Sequence, residues 1–380
     1  MIHFAIGTKA QFIKMVPVMK QLVEKGIAYR YIDLGQHAAT TGSLRQIFDI
    51  KEPDVSFAMS GSVNVASLKT ALKWTVSLFR KTLRTRKQAM ERMFDGQPGV
   101  CIIHGDTLST FLGLLAAKRA GIKVFHLEAG LRSRNLFHPF PEEILRLVCM
   151  KYADYLAAPS DEALKNLQNM GYAGKALHTF GNTGTEGLAD MLPQLEETAT
   201  QAESFALFSI HRFETVMSRN RLQLLVNFIL ACVKKVRVHF VVHEPTHQAL
   251  ERYGYLQTLG NHGVKQTPLL DYPAFLGLLK TAEFVVTDGG SIQEECAALG
   301  TPCLIFRKRT ERPDGLGENA CLSQLEPETM KAFLQNYRNY RRPATFTGKR
   351  PSEIIIDFLK SKGFDKPENT THKRIESEAG

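Results

Sequence analysis

The most restrictive feature of this chain is a rhythm in which short apolar runs rich in β-branched residues alternate with segments of helical period. A strand, a crossover helix and a second strand close as a βαβ unit, so the alternation specifies an α/β protein with parallel sheets. The spacing predicts strands at Ile2–Ile6, Ala28–Leu34, Val100–His104, Lys123–Leu127 and Tyr155–Ala158. The rhythm resumes at Phe205–Ile210, Val236–Val242, Phe284–Thr287 and Cys303–Phe306, which makes two consecutive α/β halves. Length agrees, because 380 residues with 44% hydrophobic content exceed one comfortable core and suffice for two. A first domain is expected over 1–184 and a second over 185–363, the last helix being a candidate to return to the first domain. Residues 364–380 are polar and charged and are expected to form a disordered tail.

Several classes are disfavoured. Met1–Ile6 is followed at once by Gly7-Thr8-Lys9, without the basic and long apolar regions of a signal peptide. The longest apolar stretch, near Leu224–Val233, is about half of the ~20 residues that span a bilayer. The six cysteines are scattered, with no C-x-x-C and no histidines at zinc-finger spacing, so reduced thiols, no metal site and a cytoplasmic location are expected. The net charge of +10 suits an anionic ligand, but a diphosphate, an anionic membrane and nucleic acid share that sign. A single long helix is expected across Leu68–Phe94, with Leu72, Val76, Phe79 and Leu83 in one stripe. Arg80, Lys81, Arg84, Arg86, Lys87 and Arg92 crowd its remaining surface, either as a solvated face or as a dock for a membrane surface or a partner subunit.

Ligands of doubly wound sheets bind beyond the carboxyl ends of the strands, so the polar residues directly after apolar runs are the ones to collect. These are Gly7-Thr8-Lys9 with Lys14, His104-Gly105-Asp106-Thr107, Glu128-Ala129-Gly130-Leu131-Arg132, His211-Arg212, His243, and Asp288-Gly289-Gly290-Ser291. Asp106 either caps the next helix or joins Glu128 in a carboxylate pair. Of Glu142 and Glu143, one complements a helix dipole and the other is free to face a ligand. His211 followed by Arg212 at a strand end suits an anion better than a core role. The glycine pair before Ser291 lets backbone N–H groups converge on a phosphate. No G-x-G-x-x-G follows a strand and no P-loop is present, so neither a bound NAD nor a P-loop nucleotide site is expected.

Taken together, these motifs resemble the non-hydrolysing UDP-N-acetylglucosamine 2-epimerase family from about Ile2 to about Leu325. The similarity extends to Pro141-Glu142-Glu143, Gly181-Asn182-Thr183, Ile292-Gln293-Glu294-Glu295 and Thr310-Glu311-Arg312-Pro313. The resemblance implies two Rossmann-like domains arranged as in GT-B glycosyltransferases, with the active site in the interdomain cleft. It implies catalytic roles for Asp106, Glu128, Glu142 and His211, with Arg132 and Arg146 supporting the carboxylates. Gly290, Ser291 and Glu295 would hold the diphosphate and ribose, Lys14 would lie by the substrate, and Lys9, Arg212, His243 and Arg312 complete the expected contacts. The implied ligand is a UDP-sugar, with no cofactor and no nucleic acid, and a homodimer is expected. Two departures stand out: Gly7-Thr8-Lys9-Ala10-Gln11 replaces the usual Gly-Thr-Arg-Pro-Glu, and Asp288-Gly289-Gly290-Ser291 replaces Asp-Ser-Gly-Gly. Lys9 keeps the positive charge but lacks the forked guanidinium.

Overall fold

The computed structural model describes residues 1–36, 38–58, 73–77, 85–135, 141–197, 204–346 and 348–365. The chain divides into two units: unit 1 comprises Met1–Gly184 and the residues from Lys349 onward, and unit 2 comprises Thr185–Gly348. Among the described residues of unit 1, one sheet contains β1 (Ile2–Ile6), β2 (Tyr29–Asp33), β3 (Val55–Ser56), β4 (Val100–His104), β5 (Lys123–Leu127), β6 (Tyr155–Ala158) and β7 (Ala176–His178). Their order is β3-β2-β1-β4-β5-β6-β7, and every pairing is parallel. Unit 2 repeats the plan with β8 (Phe205–Ile210), β9 (Arg237–Val242), β10 (Lys265–Thr267), β11 (Phe284–Thr287), β12 (Cys303–Ile305) and β13 (Ala320–Leu322). The order there is β10-β9-β8-β11-β12-β13, again parallel.

In each unit the strand order reverses once. β1 lies between β2 and β4, and β8 lies between β9 and β11. Crossovers leave such a switch point in opposite directions, which opens a crevice at the carboxyl ends of the two strands. Gly7-Thr8-Lys9 and His104-Gly105-Asp106 stand at the crevice of unit 1, His211-Arg212 and Asp288-Gly289-Gly290 at that of unit 2.

The central strands are apolar on both faces because helices cover both, and β1 and β4 are buried at all five positions. Helix starts are specified locally. Thr8 caps helix Lys9–Glu24 and Thr107 caps helix Leu108–Ala120, each in a reciprocal capping box. Helix Pro351–Ser361 buries Ile355, Ile356 and Leu359 along one stripe and belongs to unit 1, where Phe358 meets Phe125 and Tyr155 at 5.2 and 5.1 Å between ring centroids.

The expectation of one helix across Leu68–Phe94 is corrected. Thr85 is extended (φ −128°, ψ 160°) and its hydroxyl caps a separate helix, Arg86–Phe94. A threonine side chain that accepts from the N–H of Gln88 satisfies a first-turn donor, which starts a helix at that point. Upstream, the described residues 73–77 are helical, and buried Trp74 donates its indole N–H to Leu34 O at 2.9 Å. Arg80, Lys81 and Arg84 lie outside the described residues, as do 366–380 of the expected tail. No described helix is long and apolar enough to cross a membrane.

Candidate active site

The site of unit 1 is built where β4 and β5 end side by side, His104 opposite Leu127. Glu128, the first residue past β5, takes a left-handed backbone (φ 60°), a costly conformation for a side chain with a Cβ. Its carboxylate is held at both oxygens. Lys14 Nζ donates to Oε1 at 2.7 Å, Asn182 Nδ2 donates to Oε1 at 2.9 Å, and His104 Nε2 is 3.4 Å from Oε2. Lys14, predicted to lie by the substrate, is therefore buried and engaged with Glu128. A small concavity opens beside this group, lined by His104, Glu128, Thr179, Asn182, Thr183 and Ile355 among others.

Asp106 lies two residues beyond β4, on a turn that begins with Gly105 at φ 72°. It is bridged to Arg146 of helix Glu142–Tyr152. Arg146 also binds Glu143, which is fully buried and accepts from Arg132 Nε at 2.6 Å and from Ser133 N at 3.1 Å. Burial alone would raise the Glu143 carboxyl, but the hydrogen bonds from Arg132 and Ser133 and the Arg146 charge bring it below its usual range. Arg132 and Arg146 thus support a carboxylate cluster, with Glu143 as its buried anchor. Glu142 opens the helix and is half-buried.

Unit 2 gathers its polar residues around buried Asp288. The backbone N–H groups of His211 and Arg212 donate to its two oxygens at 2.9 and 3.0 Å, which ties the end of β8 to the end of β11. The His211 ring stacks on His243 with centroids 4.6 Å apart, and Ser209 Oγ lies 3.3 Å from His243 Nε2. Helix Gly290–Leu299 starts after Gly289 with no side-chain cap, so the N–H groups of Gly290 and Ser291 stand at a helix N-terminus suited to an anion.

Arg312 crosses this N-terminus closely. A Cβ on Gly290 would lie 2.7 Å from its Nε, so only glycine admits the guanidinium there. Arg312 pairs with Glu294, and Arg212 with Glu311 at 3.3 Å. Glu311 also pairs with Arg307 at 2.9 Å. Burial would raise the Glu311 carboxyl, but Arg212 and Arg307 hold it down to about 2. Glu295 accepts from Tyr272 OH at 2.9 Å, and burial together with this carboxylate pushes the Tyr272 phenol well above its usual value.

The predicted residues fall into two groups, each inside one unit. Lys14, Asp106, Glu128, Arg132 and Arg146 belong to the first, with Glu142 and the half-buried Lys9 at the starts of neighbouring helices. His211, Arg212, His243, Gly290, Ser291, Glu295 and Arg312 belong to the second. The sequence collects Asp288 at its strand end, places Glu294 and Glu311 in motifs of the resemblance and leaves Glu143 open between a dipole role and a ligand-facing one, but it gives none of them a partner, and it marks neither Arg307 nor Gln11 and His126 as neighbours of the site. Glu143 carried a usable signal, since it lies three residues before Arg146 on the helix stripe that continues through Cys149 and Met150. Among the described residues no group of three histidine, cysteine or acidic side chains is placed to hold a metal ion.

Comparison with known proteins gives one consistent result. The family profile described as UDP-N-acetylglucosamine 2-epimerase matches residues 20–360. A UDP-N-acetylglucosamine 2-epimerase of Methanococcus maripaludis is 30% identical over 379 residues, covering 94% of this chain and 98% of its own. The crystal structure of Methanocaldococcus jannaschii UDP-GlcNAc 2-epimerase in complex with UDP-GlcNAc and UDP has a TM-score of 0.81 at 25% identity, covering 95% and 99% of the two chains. A Polygonum tinctorium UDP-glucosyltransferase, at 13% identity and a TM-score of 0.56 over 94% and 97% of the chains, shares the GT-B-like fold.

Proposed function

The chain belongs to the UDP-N-acetylglucosamine 2-epimerase family, and from that premise we propose that it interconverts UDP-N-acetylglucosamine and UDP-N-acetylmannosamine without hydrolysing either. The hydrogen at C2 of the sugar is not adjacent to a carbonyl, so a base alone cannot remove it. Elimination supplies the missing exit for electrons. A base takes the C2 proton, the C1–C2 double bond forms, and the C1–O bond breaks with its electron pair going to the β-phosphate oxygen of UDP. The oxygen then returns to C1 of the 2-acetamidoglucal while a proton is delivered to the opposite face of C2, giving the epimer. No electrons are gained or lost overall, so the route calls for no redox cofactor.

The observation that carries this reading is the placement of Asp106 and Glu128 just past the ends of paired strands, each with its own cation. The ammonium of Lys14 and the amide of Asn182 hold the Glu128 carboxylate in a fixed position, from which it would exchange a proton with the sugar. Asp106, with Glu142 at the nearby helix start and His211 in unit 2, supplies the other proton-moving groups. The helix start at Gly290–Ser291, with Arg312 and Arg212, provides fixed positive charge for the departing diphosphate. Excluding water from the glycal keeps the enzyme from acting as a hydrolase.

The test is proton NMR of the enzyme with UDP-N-acetylglucosamine in D₂O. UDP-N-acetylmannosamine carrying deuterium at C2 is expected, because the returning proton comes from a group that exchanges with solvent. Accumulation of UDP with free N-acetylmannosamine would assign hydrolysis instead, and an untouched substrate would refute the reading.

A further inference from the structure

We infer that His126 is a positioning residue for Asp106: its imidazole, together with the Gln11 amide, clamps the turn that carries this carboxylate. The inference rests on the reading of Asp106 as a proton-moving group. The two carbonyls that lead into the Asp106 turn are each bound by side chains. From β5, His126 Nε2 donates to Gly105 O at 2.7 Å. From helix Lys9–Glu24, Gln11 Nε2 donates to His104 O at 3.0 Å, and Thr110 Oγ1 donates to the same oxygen at 2.7 Å. Gln11 is itself fixed, since its Oε1 accepts from Gly7 N, Thr8 N and Ser109 Oγ at 2.8, 3.1 and 3.0 Å. Gln11, Thr110 and His126 are all buried. The glutamine that departs from the family's usual residue is thus the peg joining the turns after β1 and β4.

The imidazole contributes geometry and no charge. Donation to a carbonyl fixes the tautomer with hydrogen on Nε2, and Nδ1 has no hydrogen-bond partner among the described residues. A second proton would bury an N–H without an acceptor. Burial accordingly brings the ring down to about 4, although the bond to Gly105 O works in the opposite direction. The clamp matters because Arg146 draws on the Asp106 carboxylate from helix Glu142–Tyr152. With Gly105 O released, the carboxylate is free to follow the guanidinium, and a displacement of about 1 Å is enough to cost on the order of 100-fold in rate.

Two variants test the clamp. His126→Leu removes the donor while keeping an apolar side chain of similar reach, and His126→Gln sets an amide N–H near the place of Nε2. The leucine variant is expected to lower kcat for UDP-N-acetylglucosamine by roughly 10- to 100-fold, with KM and UDP affinity within about twofold of wild type. The glutamine variant is expected to recover most of that loss. A role confined to folding would lower the melting temperature of both variants and leave kcat per folded molecule unchanged, which overturns the inference. So does an equal loss of kcat in both folded variants, or a KM that rises in step with the loss. If the leucine variant does not fold, His126→Asn takes its place, because its amide stops about one bond short of Gly105 O; activity equal to that of the glutamine variant again overturns the clamp. A wild-type enzyme inert toward UDP-N-acetylglucosamine overturns both this inference and the proposed function, whereas an active wild type with an equally active His126→Leu overturns this one alone.

Discussion

Glu142 and Glu143 are neighbours in sequence with opposite expected roles, and one pair of substitutions separates them. Glu143 is fully buried between Arg146, whose side chain is 5% exposed, and Arg132, whose side chain is 21% exposed. Glu143→Gln keeps the shape but leaves two guanidinium groups facing an amide. Removing one member of a buried ion pair costs about 3–5 kcal/mol, and the partial exposure of Arg132 places this case near 3. In a unit of roughly 200 residues that cost lowers the melting midpoint by about 6–12 °C. The pH dependence has a definite sign. The Glu143 carboxyl lies below its ordinary value of 4.5 in the folded protein, so its contribution is complete above that value and is lost as the pH falls through the depressed one. The gap between wild type and Glu143→Gln should be full at pH 7.5 and should narrow once the pH drops below about 4.5. Glu142→Gln should melt with wild type yet lose at least about 100-fold in turnover, as expected of a group that moves a proton. Circular-dichroism melts at several pH values, with turnover at 25 °C, measure both. A Glu143→Gln protein that melts within about 2 °C of wild type while losing turnover would refute the assignment and exchange the roles of the two acids.

Three further outcomes are expected. Asp106→Asn and Glu128→Gln should each lower turnover by at least about 100-fold while UDP affinity by calorimetry stays nearly unchanged; weakened binding would show that these groups hold nucleotide instead. Gly290→Ala should weaken UDP binding by about tenfold, since the new methyl displaces Arg312 from the helix N-terminus, and an unchanged affinity would remove Arg312 from the diphosphate site. UDP should bind equally well in EDTA and in magnesium, because arginines and helix N–H groups already supply the positive charge; binding that appears only with magnesium contradicts this.

What could be read from sequence follows from how each element is stabilised. β1, β4, β5, β8 and β11 sit inside parallel sheets covered on both faces, so their residues are mostly apolar, with few polar interruptions, and announce them. β3, β7, β10 and β13 are two or three residues long and lie at or next to sheet ends, where pairing to a neighbour defines the strand more than composition does. The break at Thr85 is not announced by a glycine or proline, and a capping hydroxyl starts a new helix with no other mark in the sequence. Glu128 and His211 are legible because each directly follows a strong strand signal, and Asp106 because it lies two residues past one. Arginine partners were not, since Arg307 with Glu311 and Arg312 with Glu294 are brought together by a loop whose path no periodicity encodes.

The chain enters unit 2 after Gly184 and comes back to unit 1 only at Lys349. During synthesis, unit 1 must therefore wait for its closing helix, Pro351–Ser361, until the whole of unit 2 has been made. At typical ribosomal speeds of about 5–20 residues per second this interval lasts roughly ten to thirty seconds. Throughout it, the faces of Phe125 and Tyr155 that Phe358 will cover remain unfilled, and the sequence of unit 2 is completed at Gly348, just before that helix is made. The sequence of the second unit is thus complete before that of the first. A fragment ending at Gly184 carries every carboxylate of the proposed reaction and still lacks a wall of its own core.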